Sequence, residues 1–79
     1  MTLNCLIVDD EPLSQEIITD YVSVCPELNL KGVCKNALEA GELLNTFKID
    51  VLFLDINMPI LSGIGFVKSL KEKPLFVFV

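Results

Sequence analysis

The chain of 79 residues is long enough for one small domain and no more. Its composition, 52% apolar, excludes a disordered or merely solvating segment. A net charge of −5 with no basic run argues against direct contact with nucleic acid, and the absence of histidine removes any Ser-His-Asp or Cys-His mechanism within the chain. No apolar run approaches the roughly 18 residues of a membrane span. The N-terminal MTLNCLIV has neither a basic n-region nor a small-residue cleavage site, so the expected location is the cytoplasm. Cys5, Cys25 and Cys34 have no C-x-x-C spacing and sit among apolar neighbours, which reads as three reduced thiols, mostly buried.

Leu3 to Val8 is an apolar run without helical spacing and reads as a buried strand. Asp9, Asp10 and Glu11 follow it, and Pro12 suits the first turn of a helix. Leu13, Ile17 and Tyr21, with Ile18, Val22 and Cys25 beside them, predict one apolar face that ends near Pro26 and turns toward the core. Leu30 to Cys34 reads as a second strand. Asn36 and Glu39 resemble a capping box, ahead of a second helix whose core face is Ala37, Ala40, Leu44 and Phe47. Ile49 to Leu54 reads as a third strand. Ser62 can cap a third helix through about Lys73, with Ile64, Val67 and Leu70 inward. Pro74 ends it, and LFVFV, Leu75 to Val79, is a fourth strand.

The order β-α-β-α-β-α-β predicts a parallel sheet covered on both faces by right-handed crossovers. A flavodoxin-like doubly wound sheet of strand order 2-1-3-4 places the carboxyl ends of strands one and three side by side, at the switch point where such folds bind ligands. Asp9 and Asp10 end the first of these strands and Asp55 ends the other. Like charges so close raise one another's pKa unless a cation compensates. A helix dipole, worth roughly 0.3–1 kcal/mol, offsets only part of that repulsion. Oxygen donors without histidine or thiolate favour Mg²⁺ over Zn²⁺. The alternatives fit less well. No EF-hand glycine and acid pattern follows Asp55, no glycines follow the first strand as a dinucleotide site requires, and DDEP is unlike the D-x-D of aspartate phosphatases.

VDDEP at the end of strand one and LDINMP…SG at the end of strand three resemble the receiver domain of two-component response regulators. CLIVDDEP and LDINMPILSGIGFVKSL are most similar to receivers that precede a LytTR-type DNA-binding domain, and the resemblance covers the whole chain. It implies that Asp55 is the phosphoacceptor, taking a phosphoryl group from a sensor histidine kinase. It implies that Asp10 ligates Mg²⁺ directly, that Asp9 acts largely through water, and that Asn57 contributes its backbone carbonyl. It makes the chain a signalling module that assists its own phosphorylation and dephosphorylation, not an enzyme in the usual sense.

Two residues depart from the pattern: Ile60 stands where many relatives have Gly, and Gly65 where many have Glu. Against the family's five β-α units, residues 1–79 correspond to the N-terminal part of one receiver domain, without helix four, strand five and helix five. The Ser or Thr after strand four and the Lys ending strand five would then be missing. The expectation is therefore a phosphoacceptor switch, with a non-phosphorylatable interaction module or inert truncated fragment as the alternative. An uncharged final strand at a sheet edge further predicts self-association through strand four.

Overall fold

The computed structural model describes residues 2–55 and 75–78. The elements are β1 (Leu3–Val8), α1 (Pro12–Ser23), β2 (Leu28–Cys34), α2 (Ala37–Thr46), β3 (Val51–Leu54) and β4 (Leu75–Phe78). The strands form one sheet in the order β2-β1-β3-β4, and every adjacent pair is parallel. The predicted winding is thus the observed one. The expected third helix, residues 62–73, lies outside the described residues.

β1 explains the fold. Side chains alternate across a strand, so an uninterrupted apolar run supplies both faces of a covered sheet. Leu6 and Val8 join Cys34, Ala40, Ile49, Leu52 and Leu54 in a core closed by Leu43 and Leu44 of α2. Cys5 and Ile7 join Val22 and Val51 in a second core, against which Ile18, Leu30, Phe53 and Val77 pack. At roughly 1.5–3 kcal/mol for each fully buried large aliphatic side chain, β1 is the element the fold can least lose.

Several boundaries and faces differ from expectation. β2 starts at Leu28, two residues early, because Leu28 and Asn29 pair with Leu3 and Asn4. Asn29 is a poor strand former, but its amide donates to the Asn4 side chain at 3.2 Å and so finds a partner at the rim. Ile49 is buried but precedes β3, which begins at Val51. α1 ends at Ser23, whose hydroxyl bonds back to the Asp20 carbonyl.

The predicted core face of α1 is corrected more sharply. Leu13, Ile17 and Tyr21 are 60%, 48% and 70% exposed, and the helix instead meets the sheet through Val22 and Ile18. Its apolar arc is wider than the strip one sheet face can cover, so spacing alone did not select the buried side. Phe47 is also more exposed than predicted, at 38%, because α2 ends before it and its backbone is extended. Its ring instead lies under the Lys31 ammonium, 5.3 Å from the centroid.

The register of β1 and β2 slips between Cys5 and Leu6, which face Leu30 and Gly32 and leave Lys31 unmatched. Gly32 lets α2 pack closely there: a Cβ would stand 2.6 Å from Leu43 Cδ1, so the Leu43 side chain would have to shift. The Asn36 cap forms as expected, its Oδ1 accepting from the Glu39 N–H at 2.9 Å. The return arm of the box reaches one residue further than the standard pattern, Glu39 Oε1 accepting from the Lys35 N–H at 3.0 Å.

Candidate functional site

The ladder hydrogen bonds continue one residue beyond the strands and thereby fix two of the three predicted carboxylates. The Asp9 N–H donates to the Cys34 carbonyl at 2.9 Å, and the Asp55 N–H donates to the Val8 carbonyl at 3.1 Å. Asp9 and Asp55 therefore stand on adjacent strand ends with backbone positions set by the sheet itself. Asp10 follows at the turn into α1. One carboxylate oxygen from each of Asp9, Asp10 and Asp55 can be chosen so that all lie within 4.8 Å of one another. Their environments are graded: Asp9 is buried, Asp55 half-buried and Asp10 exposed.

Asp9 carries the electrostatic signature of the site. At 2% exposure its carboxyl is pushed above the ordinary aspartate range, first by desolvation. A hydrogen bond from the Glu11 N–H, 2.9 Å from Oδ1, pulls the other way. The charge of Asp55, a hydrogen bond shared with it, and the charge of Asp10 then push upward again. Among the described residues no basic side chain takes part in this balance. The donor set of three hard oxygens converging in a partly closed corner fits a small divalent cation, and Mg²⁺ in particular is commonly held by one or two carboxylates with waters completing its shell.

The strand-to-helix corner holds the acids in place. Glu11 occupies the N-cap position with extended backbone and makes no side-chain cap, and Pro12 opens the helix where its missing N–H costs nothing. The Asp9 carboxylate takes the Glu11 N–H instead. The Gln15 amide reaches back from the helix to the Asp9 carbonyl. Neither contact was anticipated: a lone Gln in the first turn of a helix reads as a solvated position. Asn57, the fourth residue expected at the site, lies outside the described residues, as do Ile60 and Gly65.

Beneath the corner, Cys34 packs in the α2-side core, and its thiol is pushed up to about 11 by burial and by the charge of Glu39. Cys5 is likewise raised by burial. Both are buried side chains, and with Cys25 they are free thiols, as the composition implied. Among the described residues no helix is long and apolar enough to cross a membrane.

Residues 5–79 match the response regulator receiver domain family, and the chain belongs to it. The transcriptional regulatory protein BtsR of Escherichia coli (strain K12) is 38% identical over 79 residues, 98% of this chain and 33% of BtsR. The chain thus spans about a third of the length of that curated relative. Among solved structures, a chain in the complex of the P1 domain of CheA3 with CheY6 from R. sphaeroides superposes with a TM-score of 0.84. It is 26% identical, over 96% of this chain and 61% of that one. The response regulatory domain of mrkE from Klebsiella pneumoniae gives 0.79 at 29% identity, over 96% and 65%. The flavodoxin-like fold and the membership of a signalling family, rather than an enzyme family, are therefore established.

Proposed function

We propose that this chain is the phosphoacceptor module of a two-component response regulator, with Asp55 as the acceptor and a sensor histidine kinase as the donor. The observation that carries the reading is the convergence of Asp9, Asp10 and Asp55 at the carboxyl ends of β1 and β3. In the transfer, an Asp55 carboxylate oxygen bonds to phosphorus as the P–N bond of a phosphohistidine breaks. The electron pair stays on the imidazole nitrogen, which takes up a proton. This chemistry needs in-line positioning and charge neutralisation more than acid–base catalysis, which suits a site without histidine. Mg²⁺, when bound, supplies neutralisation of the equatorial phosphoryl oxygens. Asp10 would hold it directly, Asp9 largely through water, and Asn57 through its backbone carbonyl. The ladder bond from the Asp55 N–H to the Val8 carbonyl keeps the ends of β1 and β3 from moving apart as charge accumulates, while the Asp9 N–H ties the end of β1 to β2.

The module works in the cytoplasm. By its similarity to a transcriptional regulator, it serves a DNA-binding output domain in a longer protein, while the acidic segment itself makes no nucleic-acid contact. Intact-mass analysis after incubation with a small acyl phosphate and Mg²⁺ tests the central claim. A single phosphoryl addition is expected, lost in Asp55→Asn and in EDTA. Unmodified protein under conditions that label a known receiver would instead favour an interaction module or an inert fragment.

Self-association is a further part of the reading. β4 pairs with β3 on one side and, among the described residues, has no strand on the other. Leu75 is exposed, and Leu75–Phe78 carries no charge or proline to blunt the edge. The 79-residue chain alone should elute above monomer mass in size exclusion with light scattering at micromolar concentration. A sharp monomer peak would refute this.

A further inference from the structure

We propose that Gln15 is a positioning residue of the acidic site, aiming the Asp10 carboxylate by holding the peptide plane between Asp9 and Asp10. This rests on reading the three aspartates as the Mg²⁺ site. The argument is geometric. The backbone of Asp9 is gripped at its N–H by the Cys34 carbonyl. Its side chain is gripped by the Glu11 N–H. Its carbonyl is gripped by the Gln15 side-chain amide. The first two contacts orient Asp9. The third acts one residue further on, because the Asp9 carbonyl and the Asp10 N–H share one rigid plane, and rotation of that plane swings the Asp10 side chain.

Gln15 is itself well anchored. Its N–H donates to the Glu11 carbonyl at 3.0 Å, and its carbonyl accepts from the Thr19 hydroxyl at 2.7 Å. Its side chain is half-buried at the corner, whereas its neighbours Glu16 and Ile17 are exposed. Asp10 is the most exposed of the three acids, so packing does not restrict it as it restricts Asp9. Its aim must come from the backbone. A merely structural account, in which Gln15 staples α1 to β1, predicts lost stability and unchanged metal affinity.

Three measurements on the full 79-residue chain separate the accounts. In the metal-free protein, a through-hydrogen-bond NMR coupling between the Gln15 side-chain amide and the Asp9 carbonyl is expected. Mg²⁺ titration followed at the Asp9, Asp10 and Asp55 amides should then show Gln15→Met binding about tenfold more weakly than the unaltered chain, at the lower end of what outer-shell partners of metal ligands cost. Gln15→Ala, favourable in a helix, should lose as much and guards against misfolding of the first variant. Ser23→Ala, which removes a hydroxyl contact at the far end of α1, should bind like the unaltered chain. Thermal midpoints in EDTA report stability separately. Unchanged affinity in both Gln15 variants, or a loss no larger than the fall in folded fraction, would overturn the proposal. If the unaltered chain shows no response to Mg²⁺, the reading of the site itself fails and this inference with it.

Discussion

Asp50 stands just before β3 and Asp55 just after it, so the two ends of one strand each present a carboxylate beside β1. At the first rim the charge is fully employed. Asp50 Oδ2 accepts from the Asn4 N–H at 2.9 Å, the Asp50 N–H donates to the Asn4 carbonyl at 2.8 Å, and the Asp50 carbonyl accepts from Leu75 at 2.9 Å. The Asn4 amide closes the rim on the Lys48 carbonyl. At the second rim three carboxylates face one another, and the charges of Asp55 and Asp10 add to burial in raising the Asp9 pKa. The residue type is the same and both rims offer a backbone donor, but only at the second does the acid also face like charge. An acid that stitches strands together is part of the fold. An acid kept against its own electrostatics is a functional-site candidate, and here it belongs to the proposed Mg²⁺ site.

The largest expected difference between the rims is in metal binding. Asp10→Ala should weaken Mg²⁺ binding by more than about 100-fold, beyond the range for outer-shell partners, while Asp50→Ala leaves it unchanged in the same NMR titration. Stability should respond the opposite way. Asp50→Ala removes a charged acceptor from a half-buried N–H and should cost about 1.5–3 kcal/mol in urea unfolding. Asp9→Asn in EDTA should raise the unfolding midpoint, because it removes a buried charge while its amide oxygen can still accept from Glu11. A fall in midpoint would show that the Asp9 charge is structural after all.

The α2-side core also carries a pH response, through Cys34. Its folded pKa of about 11 lies above the ordinary 9.0, so the folded state keeps a proton that the unfolded chain releases first. The contribution is therefore intact below about pH 9 and lost as the pH rises toward 11, with a total on the order of 2–3 kcal/mol. Cys34→Ala should flatten that alkaline limb relative to its own stability at pH 7. A limb as steep as in the unaltered chain would assign it elsewhere. The smallest effect belongs to the α2 start, away from both rims. Asn36→Ala should cost about 1 kcal/mol by the same unfolding assay, with Mg²⁺ affinity unaltered.

Much of this was legible in the chain. A short apolar run ending in acids announced β1 and the site at once, because a strand buried on both faces leaves no other place for the charges than its end. The winding followed from the alternation of strands and helices, and it brought Asp9 and Asp55 together as expected. What spacing could not choose was which part of a broad apolar arc meets the sheet, so Leu13, Ile17 and Tyr21 were assigned to a core they do not enter. Rim chemistry was equally silent: Asn4, Asp50 and Gln15 act through backbone atoms of partners distant in sequence or across a turn, and no local pattern encodes such a partner.

The alternation along β1 has a consequence for how this chain can change. Each step along the strand swaps one core for the other, so the strand counts in twos. Deleting a single residue between Cys5 and Val8 would move the β1 side chains that follow it from one core to the other and, in the same stroke, present Asp10 where Asp9 now stands buried. Substitutions in β1 can be absorbed by repacking, whereas an odd change in length needs a bulge such as the one β2 already makes opposite Cys5 and Leu6. The strand therefore behaves as a parity lock, and insertions and deletions in descendants of this sequence should fall in the connections and spare the six residues that keep the count.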